Sequence, residues 1–229
     1  MAKFCTKCGS KLVDGKCPNC ENKKSEVPTT GFDMNEMIEV VKGMFTKPVD
    51  TIKEVVENEN ITISSILIGI NAIIIALFCC LGSKELIGVF TSTSGFSSLM
   101  ATSIEIPYAR IFFTTLVTVL VTYAILAGLF YLVADKLFHG NSSYKKMITY
   151  LGITSVILST TMLGTIVLMY VSVQLMLLFL LCGLVLSNVY MIQGFRYTAE
   201  IDKNKIGYTY GLVYLIILII TMFIIPAIF

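Results

Sequence analysis

Charged residues are scarce in this sequence. Only 14% of its 229 residues are Asp, Glu, Lys or Arg, and 55% are hydrophobic. Soluble domains carry about 25% charged residues, so this balance excludes a soluble globular domain and indicates an integral membrane protein. The formal net charge of +2 is too small to imply a nucleic acid or an acidic partner.

Groups that commonly carry catalysis are also lacking. The sole histidine, His139, lies in a polar loop, and no H-E-x-x-H or G-x-S-x-G motif is present. No ionisable residue lies at the middle of a predicted span, where catalysis or ion coupling would need one. Asp135 stands beside Lys136 at the end of a span and is interpreted as interfacial. The sequence therefore predicts a protein that is not an enzyme.

The seven cysteines do not form a secreted disulfide framework. Cys79, Cys80 and Cys182 lie in apolar runs, and the other four are clustered near the N-terminus. No signal peptide is recognisable, and the first hydrophobic run starts near Ile61 behind a polar head. We interpret that run as an uncleaved first span.

The N-terminal cysteines have the spacing of a metal site. They form two CxxC pairs in the pattern C-x2-C-x8-C-x2-C, which places two tight turns around one tetrahedral zinc ion. A head of 22 residues cannot bury enough apolar area to fold alone, so the metal would supply the folding free energy. Four thiolates close the coordination sphere, so the predicted zinc is structural. The predicted ligands are Cys5, Cys8, Cys17 and Cys20.

A nucleic-acid role for this head is not predicted. Residues 1–24 contain six lysines against Asp14 and Glu21. A four-thiolate zinc site would remove about two of the remaining positive charges. Phe4 is the one aromatic residue in this stretch, whereas specific binding needs a basic patch and stacking side chains.

The chain divides into four predicted parts. Residues 1–22 form a zinc ribbon with short β-hairpin knuckles, and residues 23–32 form a linker. Residues 33–59 have apolar positions at helical spacing, with Pro48 in the first turn of a second short helix. This amphipathic segment either lies at the membrane surface or packs on the bundle, and we favour packing. Residues 60–229 form the membrane domain.

Five stretches are long enough to cross a bilayer, which takes about 20 apolar residues. Residues 147–194 contain no charge and are too long for one span, so we divide them at the polar Tyr170–Gln174. Residues 86–106 contain many Ser, Thr and Gly residues and are predicted to be a loop. The fold class is therefore an all-α polytopic membrane protein, with spans at about 62–82, 111–134, 147–169, 172–194 and 208–229.

Two independent arguments place the N-terminus in the cytoplasm. Fifteen of the lysines and arginines fall in the head and in the loops 135–146 and 195–207, against two on the opposite side. Thiolate ligands also persist in reducing compartments. With five spans, the C-terminus would lie on the outer side.

Polar residues inside the spans are amides and hydroxyls. Asn71 and Asn188 could line a site, although hydrogen bonding between helices is favoured. Small residues four apart permit close helix contact, and tyrosines near span ends suit interfacial anchoring. The small pairs are Ala124–Gly128, Ser155–Ser159 and Gly183–Ser187, and the tyrosines are Tyr108, Tyr144, Tyr150, Tyr170, Tyr197 and Tyr208.

Two cytoplasmic stretches resemble the Yip family of small five-span membrane proteins. One is an F-x-x-P entry before the first span, and the other is a G-x-x-S-[FY] segment before the third. The resemblance implies a five-span bundle, and in eukaryotes such proteins associate with Rab-type GTPases and vesicle traffic. The residues that carry it, within about 43–229, are Phe45, Pro48, Gly140, Ser143 and Tyr144.

The head departs from the trafficking members of that family. It resembles the short zinc ribbons at the N-termini of many prokaryotic membrane and regulatory proteins, whereas trafficking members have a long acidic or Pro-rich tail. The ribbon–Yip combination suggests a prokaryotic chain in the plasma membrane. We therefore do not carry Rab binding over to this chain.

Three functional hypotheses are open at this point. The favoured one is a non-enzymatic adaptor or scaffold, in which the zinc head docks a cytosolic or membrane protein. The alternative is a transporter or permease component whose path is lined by Asn71, Asn188 and the Ser/Thr residues of the third span. The third is a membrane enzyme or a zinc-dependent sensor. A homo-oligomer is compatible with each of them.

Overall fold

The computed structural model describes residues 34–93 and 107–228, and every element in these ranges is helical. Two short helices come first: α1, Met34–Thr46, and α2, Pro48–Glu57. Pro48 begins α2, where its missing N–H leaves no hydrogen bond unmade. The predicted ribbon at 1–22, with its four cysteines, and the linker at 23–32 lie outside the described residues.

Five long helices follow, with one π-helical turn among them. They are α3, Ile61–Thr93; α4, Tyr108–Tyr131; the π-helix, Leu132–Leu137; α5, Tyr144–Met169; α6, Val173–Ala199; and α7, Lys203–Ile228.

Within the described residues, four helical segments are long and apolar enough to cross a membrane: Ile61–Ser83, Tyr108–Leu137, Tyr144–Met169 and Val173–Ala199. Each of these contains or overlaps one of the first four predicted spans. The fifth predicted span, 208–229, falls on α7 and stays a prediction.

The turn between the third and fourth spans occupies residues 170–172, inside the segment where the sequence predicts it. Helix α3, which contains the first candidate span, is longer than predicted, because its backbone continues as a helix to Thr93. The prediction of a loop is therefore wrong for residues 86–93. Ser, Thr and Gly lower helix propensity without forbidding the helix, and no proline lies between Pro48 and Pro107.

The core is centred on α5, and all the described helices contribute buried side chains to it. The most extensive described contact joins α3 to α5, and α6 packs on the other side of α5. Gly152 faces Ser64, and seven residues further along both helices Ser159 meets Asn71. Because the residue numbers rise together, α3 and α5 run parallel, and α4 must return the chain between them.

Helix α2 packs on the bundle through its apolar face, as favoured from the sequence. Ile52 is fully buried, and Val55 and Val56 are nearly so. Helix α2 contacts α5 and α6. The amphipathic pattern at 33–59 is thus explained by burial against the long helices, at least for its second half.

Candidate functional site

Asn71 is the centre of a buried polar cluster that joins three spans. Its side chain is fully buried in the middle of α3. The Nδ2 group donates to Ser159 Oγ at 2.8 Å and to the Ser155 carbonyl oxygen at 3.4 Å, both on α5. The Tyr123 hydroxyl of α4 donates to Asn71 Oδ1 at 2.8 Å. The predicted use of Asn71 in hydrogen bonds between helices is confirmed.

Asn188 makes a separate connection between two other helices. Its Nδ2 group donates to the Leu184 carbonyl oxygen within α6, at 2.8 Å. Its Oδ1 atom accepts from the Tyr214 hydroxyl of α7, at 2.9 Å. Asn71 and Asn188 share no partner, so the structure does not bring the two predicted lining residues into one cluster.

Hydroxyls of the third span bond mainly to their own helix. Thr154, Ser155, Thr161 and Thr165 each donate to a backbone carbonyl oxygen three or four residues earlier. This local bonding satisfies a hydroxyl without a partner on another helix. In the described part of the chain, the buried hydroxyls without a partner are those of Ser64, Ser142 and Thr149.

The Asn71 cluster makes a quantitative prediction. Asn71→Ala and Tyr123→Phe should each destabilise the bundle, and the double variant should lose less than the sum of the two. Coupling between such groups in membrane proteins averages about 0.6 kcal/mol and reaches about 1.7. A double-mutant cycle of SDS-induced unfolding in bicelles would measure it. Asn71→Ala with Tyr214→Phe is the control pair, since these residues share no hydrogen bond and should be additive.

An aromatic cluster closes the core near the ends of α4 and α6. Phe130, Tyr150, Phe195 and Tyr210 are all buried, with neighbouring ring centroids 5.0–6.3 Å apart in tilted or edge-to-face arrangements. Such pairs add about 0.5–1.5 kcal/mol beyond the area that they bury. The interpretation of Tyr150 as an interfacial anchor is therefore wrong, because its ring is fully buried among these aromatic side chains.

A chain of two tyrosine hydroxyls crosses this cluster. The Tyr150 hydroxyl donates to the Met191 carbonyl oxygen at 2.6 Å and also contacts the Tyr210 hydroxyl. A phenol has one proton, so Tyr210 must donate to Tyr150. The pair links α5, α6 and α7 through groups that would otherwise be buried unpaired.

Ile52 connects the amphipathic helix α2 to this cluster. A Cβ atom at Gly194 would lie 2.9 Å from Ile52 Cγ2 and 3.3 Å from the Tyr150 ring, so the glycine makes the space that Ile52 fills. Leu, Ile or Met truncation at a buried site costs about 2–5 kcal/mol. Helix α2 is therefore held firmly to the long helices, directly before the first span.

The residues of the G-x-x-S-[FY] segment organise the loop before α5. Gly140 donates its N–H to the Ala134 carbonyl oxygen at 2.9 Å and packs on the loop after α6, where a Cβ would lie 2.6 Å from the Ala199 carbonyl oxygen. Ser143 caps α5 by accepting from the Lys146 N–H at 3.1 Å. The Tyr144 hydroxyl donates to the Ala124 carbonyl oxygen at 3.3 Å.

Charged residues within the four candidate spans stand only near their ends. Asp135 and Lys136 form an ion pair at 3.1 Å in the π-helix, consistent with their interpretation as interfacial residues. Among the described residues, no group of three or more His, Cys, Asp or Glu side chains could hold a metal ion. The end positions are Arg110, Asp135, Lys136, Lys145, Lys146 and Arg196.

These features define a polytopic helical membrane protein whose interior is tied together by amides, hydroxyls and aromatic rings. Residues 42–225 match the model of the Yip1 domain. The chain therefore belongs to the Yip1-domain family of membrane proteins, as its resemblance suggests. Searches of the curated proteins and of the solved structures gave no significant match.

Proposed function

We propose that this protein is a non-enzymatic membrane adaptor, in which the N-terminal head docks a partner protein and the bundle holds it at the membrane. The observation that supports this most is the packing of α2 on the long helices: Ile52 is fully buried against Gly194 and Tyr150. A mechanical force on the head would be transmitted to the bundle through the two short, packed helices α1 and α2.

The interior of the bundle supports an adaptor better than a transporter. A path lined by Asn71 and Asn188 would need both amides at one surface. Instead, Asn71 bonds to α4 and α5 whereas Asn188 bonds to α7. Members of the family are membrane proteins that are not known as enzymes.

The head, in this proposal, is a zinc ribbon held by Cys5, Cys8, Cys17 and Cys20, and it faces the cytoplasm. Four thiolates would leave no open position on the metal, so its role is to fold the docking surface. The partner is a cytosolic or membrane protein, and the membrane is the plasma membrane of a prokaryotic cell.

Site-specific crosslinking tests the adaptor role. A photo-crosslinking residue at Lys11 should capture one specific partner in cells, and the crosslink should be lost in the variant with Cys5→Ser and Cys8→Ser. Ser10→Ala is the matched control, since it changes the head without removing a thiol. A crosslink that survives loss of both cysteines would overturn the role of the folded head.

The orientation gives a second prediction. Lys145→Cys should react with a membrane-impermeant maleimide only after permeabilisation, whereas Ser97→Cys should react in intact cells. The reason is the distribution of lysine and arginine, 15 against two. The unmodified chain gives the background from its native cysteines. The reverse pattern of labelling would show that the head faces the outer side.

A further inference from the structure

Helix α1 carries more apolar surface than the bundle covers. Successive residues of an α-helix are about 100° apart, so its apolar positions form one continuous arc of about 160°. Val40 and Met44, on one half of the arc, are buried in the core. Ile38, Val41 and Phe45, at spacing i, i+3 and i+7, form the other half, which we call the outer stripe.

The outer stripe is exposed in the described structure. Ile38 and Phe45 are 42% and 56% exposed, whereas Val41 is half-buried and packs against the edge of the core. The stripe continues directly from the residues that face the core. The polar residues occupy the opposite arc, where Glu36 hydrogen-bonds to Asn60 beside the first candidate span.

A hydrogen bond to the beginning of the first candidate span fixes the position of α1 along the axis of that span. Asn60 Nδ2 donates to Glu36 Oε1 at 2.7 Å. Asn60 immediately precedes Ile61, the first residue of the first candidate span. Gly43, further along α1, packs on the Thr51 side chain of α2. Helix α1 is thus held where the chain enters the bilayer, and each interfacial layer of a bilayer is about 5–8 Å thick.

The charges around the outer stripe fit a lipid surface. Glu36 and Glu39 lie at least about 100° from Ile38 around the helix, whereas Lys42 lies about 40° from it. A lysine at this edge can place its methylenes along the apolar stripe and its ammonium among the headgroups. Of the acidic side chains, which anionic lipids would repel, Glu39 lies on the polar arc and Glu36 is bonded to Asn60.

We propose that α1 is an interfacial helix whose outer stripe is buried at the boundary between headgroups and acyl chains. The occupant of this surface is lipid, in the leaflet where α3 begins. Burial at the interface removes the remaining half of the apolar arc from water, which is how amphipathic helices bind membranes. This role is independent of what the head docks.

Tryptophan reporters can test the proposal with little background, because the sequence has no tryptophan. Phe45→Trp and Ile38→Trp place the indole on the outer stripe, and Thr46→Trp and Glu39→Trp place it on the neighbouring polar arc. The full chain would be reconstituted in nanodiscs of phosphatidylcholine with phosphatidylglycerol. Emission would be recorded with acyl-brominated lipid and, separately, with acrylamide in the water.

We expect Trp emission from the two stripe variants to be blue-shifted, largely lost in brominated lipid and protected from acrylamide. The two polar-arc variants should behave in the opposite way. If acrylamide quenches the emission of the stripe variants and brominated lipid does not, the stripe faces water. That result would overturn the proposal. Protection from both quenchers would overturn the proposal and show that protein covers the stripe. The cover would be a second copy of the chain if protection requires two chains per disc. It would be the head if protection requires residues 1–22.

Discussion

Replacing Gly152 by alanine should destabilise the bundle by about 1–3 kcal/mol, the range found for overpacked cores. A Cβ at this position would lie 2.6 Å from Ser64 Cβ and 2.7 Å from the Ser64 carbonyl carbon. Real Cβ atoms do not approach so closely, and part of the obstacle is backbone. Helices α3 and α5 would have to separate along their most extensive contact. Unfolding in SDS, followed by circular dichroism, measures the change.

Gly69→Ala is the matched control for this substitution. It makes the same chemical change in α3, the helix that Gly152 faces, but a Cβ there would meet nothing within 4 Å. Alanine is favoured over glycine in a helix by about 0.5–1 kcal/mol, so this variant should be neutral or slightly more stable. Equal effects of the two substitutions would contradict the close α3–α5 contact.

Zinc removal is the second large effect that we expect. Purified wild-type protein should contain about one zinc ion per chain, and the variant with Cys5→Ser and Cys8→Ser should contain essentially none. Two serines remove half of the thiolates, and structural zinc contributes about 10–16 kcal/mol to the folding of such small domains. Plasma emission spectroscopy of the dialysed protein gives the metal content.

The membrane domain provides the internal control for the zinc experiment. The described helices pack on one another around a shared core, so the variant should keep the helical signal and the SDS unfolding midpoint of the wild type. Loss of both zinc and bundle would mean that the metal also stabilises the spans. Full retention of zinc in the variant would exclude the four-cysteine site.

The length of an apolar run strongly indicates whether it forms a membrane-spanning helix. The lengths of the runs in this sequence predict the helical class and the first four spans. Hydrogen bonding by Asn71 was also predictable, because an amide inside a span must find a partner. The packing of Ile52, Val55 and Val56 follows from their helical spacing. Each of these inferences depends on residues close in sequence or on the bilayer itself.

The features that the sequence did not reveal depend on distant contacts. Gly152 looked like an ordinary glycine, although small residues at 152, 155 and 159 share one face of α5 and could have indicated the contact. Tyr150 lies near a span end, but residues far away in the sequence, Phe130, Phe195 and Tyr210, bury its ring. The π-helix at Leu132–Leu137 is closed by a hydrogen bond that spans five residues, from the Phe138 N–H to the Val133 carbonyl oxygen, and no helix propensity encodes this spacing.

The parallel contact of α3 with α5 has a consequence for biogenesis. The chain leaves the ribosome in order, so α3 enters the membrane before the helix that covers it has been made. Gly152 follows Ser64 by 88 positions, and at about 5–20 residues per second this gap lasts on the order of 4–18 s. Tyr123 of α4 is available earlier and can hold Asn71 during that interval, so the hydroxyl that stabilises the finished bundle would also protect its first span while α5 is still being synthesised.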